Sequence, residues 1–338
     1  MPPERSERAE KTQDDCTRPY SRRYNDAVKI MVLDASPALT GLDLTELERL
    51  GELTVHAHTT LGELPERLAD AQVVVLNKVR LSVEAFAAAP ALKLVTVLAT
   101  GHDVVDGAAA RAAGVTLCNV AGYSTASTAQ HAVALLLELS NQVGRHAASV
   151  AAGAWQTRGI WSWAETPLVE LAGKTLVVVG YGAIGSRIGQ VAEALGMRVL
   201  PITKTQRAGT YSLEQALPQA DVVLLQCPLT PATHALVNVE FLAALQPGAL
   251  LINCARGPVV DEAAVAAALH SGHLAGFATD VLSTEPPAPD NPLLSAPNTL
   301  ITPHNAWATG ASRERLLAET CANIRAFRDG AARNVVNA

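Results

Sequence analysis

The chain has 338 residues, of which 49% are hydrophobic and 17% charged, with a formal net charge of -6. That length suits two α/β domains better than one, and the composition excludes a globally disordered chain. No basic patch or stripe marks a nucleic-acid surface, and no apolar run reaches the ~18 residues of a membrane span, so neither nucleic acid nor membrane is an expected partner.

In chain order, residues 1–27 come first. They carry mixed charges (Glu4, Arg5, Glu7, Arg8, Glu10, Lys11) and almost no aliphatic side chains. They lack the apolar stretch of a signal peptide and are too acidic for a typical mitochondrial presequence, so a disordered tail is expected. From Val28 onward β and α patterns alternate. Strands are expected at 28–33, 54–56, 73–76, 94–97 and 116–119, with helical patterns at 44–50, 61–68, 82–88 and 106–113. One long helix is expected over 127–152, on the spacing of Ala129, Val133, Leu136, Leu137 and Ser140. A second series places strands at 175–179, 198–202, 222–225, 249–253, 275–279 and 300–302, the six strands of a complete dinucleotide-binding domain. A last helix over 308–328 lies beyond that sheet and would pack back on the first domain.

The expected fold is therefore α/β, with two doubly wound parallel sheets. A Rossmann dinucleotide-binding domain (127–307) is inserted in a flavodoxin-like substrate domain (28–126 and 308–338), with linkers near 123–127 and 307–310. The five cysteines (Cys16, Cys118, Cys227, Cys254, Cys321) are scattered and odd in number, which favours a reducing, cytoplasmic compartment over a disulfide framework. No metal site is expected.

The most informative motif is Gly180-Tyr181-Gly182-Ala183-Ile184-Gly185, between the apolar run Leu176–Val179 and a helical pattern. Gly180 permits a tight turn, Gly182 lets backbone approach a pyrophosphate, and Gly185 lets helix pack on strand. An NAD site normally carries Asp or Glu at the end of the next strand, about 20 residues on, for the ribose 2′-hydroxyl. Here that strand ends Pro201-Ile202-Thr203-Lys204-Thr205, and no acidic residue occurs between Glu193 and Glu214. With Thr203, Thr205, Lys204 and Arg207 nearby, nothing repels a 2′-phosphate. The cofactor expected is NADP or NAD, with NADP favoured. Later strand patterns end on Cys227, Arg256, Asp280 and His304, and strand ends on one edge of a parallel sheet line one crevice.

The segments Asn253-Cys254-Ala255-Arg256-Gly257, Asp280-Val281-Leu282-Ser283-Thr284-Glu285-Pro286 and Thr302-Pro303-His304-Asn305-Ala306-Trp307 closely resemble the signature segments of the D-isomer-specific 2-hydroxyacid dehydrogenases. Gly180–Gly185 and Cys227-Pro228-Leu229-Thr230 belong to the same resemblance, which runs over nearly the whole chain from Val28. It implies that Arg256, Glu285 and His304 are the catalytic trio. A protonated His304 would give a proton to the carbonyl oxygen as hydride reaches C2 of a 2-oxo acid. Glu285 would hold the imidazolium, and Arg256 would offer a planar fork to the substrate carboxylate or carbonyl oxygen. The resemblance places Asp280 near the nicotinamide carboxamide and Cys227 with Pro228 along the nicotinamide ribose. Cys254 and Ala255 join the cofactor group. A nucleophilic role for Cys227 is not expected, since it has no base partner.

Substrate contacts are expected from two loops at strand ends of the first domain. One is Asn77-Lys78-Val79, with Lys78 as a polar contact. The other is Ala99-Thr100-Gly101-His102-Asp103, where Thr100 and Gly101 would bring backbone N–H groups to a carboxylate and His102 is a second polar contact. Residues 98–101, 118–125 and 166–175 resemble the glycerate dehydrogenase (hydroxypyruvate reductase) branch, which implies a small polar substrate such as hydroxypyruvate or glyoxylate. His102 and the Pro201–Thr205 segment depart from that branch. Trp161, Trp163 and Trp307 are read either as walls of the pocket or as residues of a subunit contact. The resemblance also implies a homodimer built through the cofactor domain, with the 127–152 helix at the contact and Trp155 near its end. Two further readings keep the same motifs: an enzyme with the same trio that reduces a bulkier 2-oxo acid or oxidises formate-like or phosphite-like donors, and a dinucleotide-sensing, corepressor-like binding protein.

Overall fold

The structure, a computed structural model, describes residues 28–205 and 208–337. The N-terminal tail at 1–27 and Arg207 lie outside the described residues. The first sheet contains β1 (Lys29–Val32), β2 (Glu52–Val55), β3 (Val73–Leu76), β4 (Leu94–Val97) and β5 (Thr116–Cys118), in the order β2-β1-β3-β4-β5 with every pair parallel. The central strands are buried on both faces, so they read as near-continuous apolar runs, interrupted only by Thr96, rather than as alternating patterns. Short helices α1 (Thr45–Glu48), α2 (Leu64–Leu68), α3 (Val83–Ala87) and α4 (Gly107–Ala112) connect them. This order puts the switch point between β1 and β3. Asp34 fills it: its carboxylate accepts the N–H groups of Asn77 at 2.7 Å, Lys78 at 2.6 Å and Val79 at 3.1 Å.

The long helix expected over 127–152 is not one helix. It is α5 (Thr125–Asn141), α6 (Val143–Ala151) and, after Gly153, α7 (Ala154–Arg158). The break is at Gln142, whose φ of 47° is left-handed. Polar pairings hold it there. The Glu138 carboxylate accepts the Gly144 N–H, and Gln142 Oε1 accepts the Thr166 hydroxyl at 2.8 Å. The apolar spacing that predicts a single helix is blind to these contacts. Of these three helices, only α5 packs on the second sheet and on the helix Ala183–Ala194 that follows its first strand; α6 and α7 bury no residue.

The second sheet holds β6 (Thr175–Val179), β7 (Arg198–Ile202), β8 (Val222–Leu225), β9 (Ala249–Asn253), β10 (Leu274–Thr279) and β11 (Thr299–Ile301), with α8 (Ala183–Ala194), α9 (Leu213–Ala216), α10 (Val239–Ala243) and α11 (Glu262–His270) between them. The order is β7-β6-β8-β9-β10-β11, all parallel. Outside β7 the Tyr211 N–H donates to Pro201 O at 3.0 Å, without forming a further strand.

The last helix, α12 (Gly310–Arg328), buries Leu316, Leu317, Cys321 and Ile324 against Ile30, Val32 and Leu94 of the first sheet. Beyond it, the Asn337 side chain accepts the Leu117 N–H and donates to Val115 O, which ties the end of the described chain to β5. The two crossings between the halves meet where Ser312 Oγ donates to Ser127 Oγ at 2.9 Å. The fold is thus two doubly wound parallel-sheet units, each with core on both faces of its sheet.

Candidate active site

The glycine motif folds as a tight turn between β6 and α8. Gly180 has a φ of +99°, and a Cβ there would lie 2.5 Å from the Cys227 nitrogen. A Cβ on Gly185 would lie 2.4 Å from Gly180 O, so helix and strand approach as closely as backbone allows. Gly182 differs, because a Cβ there would meet nothing within 4 Å. It precedes an α8 N-terminus with no side-chain cap. Open space over an uncapped helix start, with its N–H donors and positive dipole end, fits a pyrophosphate. The Tyr181 ring lies over Gly189 of α8. Gly180→Ala should therefore lose dinucleotide binding through both the disallowed φ and the clash at Cys227. Fluorescence titration with NADPH checks it, and unchanged affinity would contradict the role given to this turn.

At the end of β7, Thr203 is half-buried with its hydroxyl donating to Thr205 O at 2.8 Å, and Lys204 is exposed. Cys227 is buried beside the glycine turn and Pro228 is exposed. Gln226, which sequence reasoning passed over, carries a buried Nε2 with no partner among the described residues. Burial pushes the thiols of Cys227 and Cys254 up, with the Asp280 charge adding to the effect at Cys254, so neither is an activated nucleophile. Among the described residues no cluster of His, Cys, Asp or Glu could hold a metal ion.

Arg256 follows β9 in a turn built by Asn253. The Asn253 side chain accepts the Ala255 N–H and donates to Arg256 O, each at 3.0 Å. Arg256 donates through one guanidinium nitrogen to Ala255 O at 2.7 Å. Its other terminal nitrogen lies 2.2 Å from where a Cβ on Gly101 would be, so a side chain at 101 would displace the fork. The same charge partly offsets the effect of burial on the Tyr123 phenol, which is pushed up to about 12. Gly257 rests directly on the backbone of Leu282 and Ser283, joining the Arg256 turn to the loop that carries Glu285.

Glu285 and His304 are in contact: His304 Nδ1 is 2.6 Å from Glu285 Oε2, with side chains 33% exposed for Glu285 and 26% for His304. Burial alone would raise the Glu285 carboxyl. The His304 hydrogen bond and charge, the Leu282 N–H and the Lys78 charge together outweigh it, and the carboxyl sits below its usual value. Lys78 is thus within electrostatic reach of Glu285 from the first domain. Glu262, not singled out in the sequence, steadies this loop by accepting the Ser283 N–H and an Asn291 side-chain N–H, each at 2.7 Å.

His304 itself has a φ of 51°. A non-glycine residue in the left-handed region persists only where its surroundings over-determine it, and such residues concentrate at functional sites. Here Trp307 Nε1 donates to His304 O at 2.8 Å, while Asp280 binds the next two amides. The Asp280 carboxylate, read from the resemblance as a cofactor contact, has both oxygens engaged by the His304 turn. Thr100 donates its hydroxyl to Val120 O, and His102 Nδ1 is buried without a partner among the described residues. Trp307 belongs to the His304 turn. Trp163 packs edge-on to Trp155 at 6.0 Å, and Trp161 stands 90% exposed nearby in sequence.

Two doubly wound parallel-sheet units, with a glycine turn at an uncapped helix start in the second and an acid-paired histidine on the same sheet edge, are the frame of a dinucleotide-dependent dehydrogenase. Residues 133–306 match the family model described as D-isomer specific 2-hydroxyacid dehydrogenase, NAD binding domain. A hydroxypyruvate reductase of Blautia hydrogenotrophica is 41% identical over 321 residues, covering 92% of this chain and 100% of that protein. A glycerate dehydrogenase of Methylorubrum extorquens is 40% identical over 281 residues, covering 82% and 90%. Among solved structures, an NADPH-dependent glyoxylate/hydroxypyruvate reductase of Sinorhizobium meliloti, in complex with NADP and malonate, superposes with a TM-score of 0.79 at 30% identity, covering 92% and 97%. The chain belongs to the D-isomer-specific 2-hydroxyacid dehydrogenase family.

Proposed function

We propose that this protein reduces small polar 2-oxo acids, hydroxypyruvate or glyoxylate, to D-glycerate or glycolate, with NADPH favoured over NADH. The observation that carries the reading is the 2.6 Å His304–Glu285 pair, on the same sheet edge as the Arg256 fork and the open Gly182 turn. Gly180 to Gly185, with Thr203, Lys204, Cys227, Pro228, Cys254 and Ala255, would hold the dinucleotide, and Gln226 is a further donor beside them. Residues 127–307 serve as the cofactor domain; 28–126 with 308–338 serve as the substrate domain.

When bound, the reduced dinucleotide supplies the hydride that reaches C2 of the acid. His304, as imidazolium, donates Nδ1–H to Glu285 and holds a second proton at Nε2, which the developing alkoxide takes. Glu285 stabilises that charged form and sets which nitrogen faces the substrate. Arg256 has one nitrogen tied to Ala255 O, and its free edge receives the substrate carboxylate or carbonyl oxygen. Lys78, whose charge reaches Glu285, and His102 supply the polar contacts that favour a hydroxylated acid.

The homodimer reading is supported by exposed apolar side chains on and after α6: Val143, Val150, Trp155, Ile160, Trp161 and Leu168. No helix among the described residues is long and apolar enough to cross a membrane, and the free buried cysteines suit a cytoplasmic setting. Oxidation of NADPH and of NADH, each with hydroxypyruvate, glyoxylate, pyruvate and a bulkier 2-oxo acid, tests the reading. The highest kcat/KM is expected with NADPH and one of the first two acids, on a sample that light scattering sizes as a dimer. A clear NADH preference removes the NADP assignment. Tight cofactor binding with no turnover would replace the enzyme by a dinucleotide sensor.

A further inference from the structure

The turn carrying His304 is tied to a helix that takes no other part in the proposed chemistry. His131, on α5, places Nε2 2.9 Å from Thr302 Oγ1. Thr302 Oγ1 in turn donates to Asp280 Oδ1 at 2.6 Å. With its one hydroxyl proton committed to the carboxylate, Thr302 can only accept from His131, which assigns the proton of that ring to Nε2. The Asp280 carboxylate is 2% exposed and also accepts the Asn305 N–H on Oδ1 and the Ala306 N–H on Oδ2, each at 2.9 Å. One chain of hydrogen bonds therefore grips the polypeptide two residues before and immediately after His304, the residue whose φ of 51° is costly for a side chain with a Cβ.

We propose that His131, Thr302 and Asp280 are positioning residues that hold His304 in the conformation where it meets Glu285. The inference rests on the reading of His304 as proton donor and deepens it. Each link is needed for a physical reason. The buried carboxylate supplies acceptors for two amides that the left-handed residue turns away from any regular ladder. The Thr302 hydroxyl satisfies a further lone pair on that carboxylate. His131 orients the hydroxyl, because a threonine rotor with no donor to it could turn instead to Thr279 O, 3.4 Å away. Without the grip, the backbone at 304 relaxes toward commoner φ values and the imidazole leaves Glu285. The dinucleotide seat at the Gly180 turn is built from other elements and would be undisturbed.

Thr302→Val keeps the shape of the side chain and deletes the hydroxyl. It should lower kcat on the order of 10²-fold, the scale of a misplacement of about 1 Å at a reacting group. KM for the 2-oxo acid and the NADPH Kd should stay within about twofold, the pattern of an interaction expressed only in the transition state. Thr302→Ser should restore kcat, and His131→Phe should lower it in the same way from a different element. The His131 variant carries the test if Thr302→Val does not fold. Wild-type kcat in Thr302→Val, failure of serine to rescue, or a loss of NADPH affinity in place of kcat each overturns the proposal. A His304→Gln enzyme measured alongside separates the two readings. If it retains turnover, the proton-donor reading fails; if it is inactive while Thr302→Val and His131→Phe are normal, only the positioning network fails.

Discussion

Replacing His304 by glutamine should lower kcat by ~10²- to 10⁴-fold, the range attributed to a positioned general acid. Glutamine can still donate an N–H to Glu285 Oε2, so it keeps the hydrogen bond that orients the natural side chain while removing the transferable proton. NADPH affinity, measured by fluorescence titration, should be unchanged, since the glycine turn lies on different strands. The pH dependence of the wild-type enzyme follows from the same pair. The Glu285 carboxyl is depressed below the usual carboxylate range, because the His304 bond and charge, the Leu282 N–H and Lys78 outweigh its burial. A depressed carboxyl contributes its stabilisation above its ordinary value and loses it as pH falls through the lower folded value. The acidic limb of kcat should therefore break below the normal carboxylate range, and Glu285→Gln should remove that break. A His304→Gln enzyme with undiminished turnover would refute the proton-donor assignment.

Arg256→Lys should lower kcat/KM by ~10²- to 10³-fold, the scale of losing one preorganised hydrogen-bond donor at a developing oxyanion. The substitution preserves the charge, so a large effect would report geometry. Arg256 commits one nitrogen to Ala255 O and lies against Gly101, an arrangement that uses a planar fork held at two points. A lysine ammonium has neither the second point nor the fixed plane. The loss should appear in both KM and kcat if, as proposed, the fork meets the acid in the ground state and its oxygen in the transition state. Lysine at 256 within fivefold of wild type would argue that Arg256 contributes only its charge. A companion Gly101→Ala variant should show part of the same defect, since the new methyl would press on the guanidinium.

Much of this architecture is legible without coordinates. Strands such as Val73–Leu76, and Thr175–Val179 after its first residue, are aliphatic throughout because both sheet faces are covered, and short runs of that kind bounded by polar residues have few alternatives. The Gly180 turn is equally readable, since left-handed φ and backbone contact each demand glycine at a set spacing. Where the reading fails, the cause is polar and local. The helix break at Gln142 depends on Glu138 reaching forward to Gly144 and on Thr166 returning from a distant loop, and neither contact alters apolar periodicity. Asp280 illustrates the converse: its place at a strand end is foreseeable, yet what its carboxylate binds is not.

The order of residues was enough to settle that there are two doubly wound sheets, that the second begins with a glycine turn at a helix start, and which side chains stand at the strand ends. Those features follow from backbone sterics and from apolar burial, which act over a few neighbouring positions. Which groups touch was settled only in three dimensions. Gly101 against Arg256, Lys78 within reach of Glu285, Asp34 filling the first switch point and His131 gripping the His304 turn each join residues tens to more than a hundred positions apart. Hydrogen bonds and charges of this kind depend on distances that no local pattern encodes, so they exist only once both sheets and the helices crossing between them have packed.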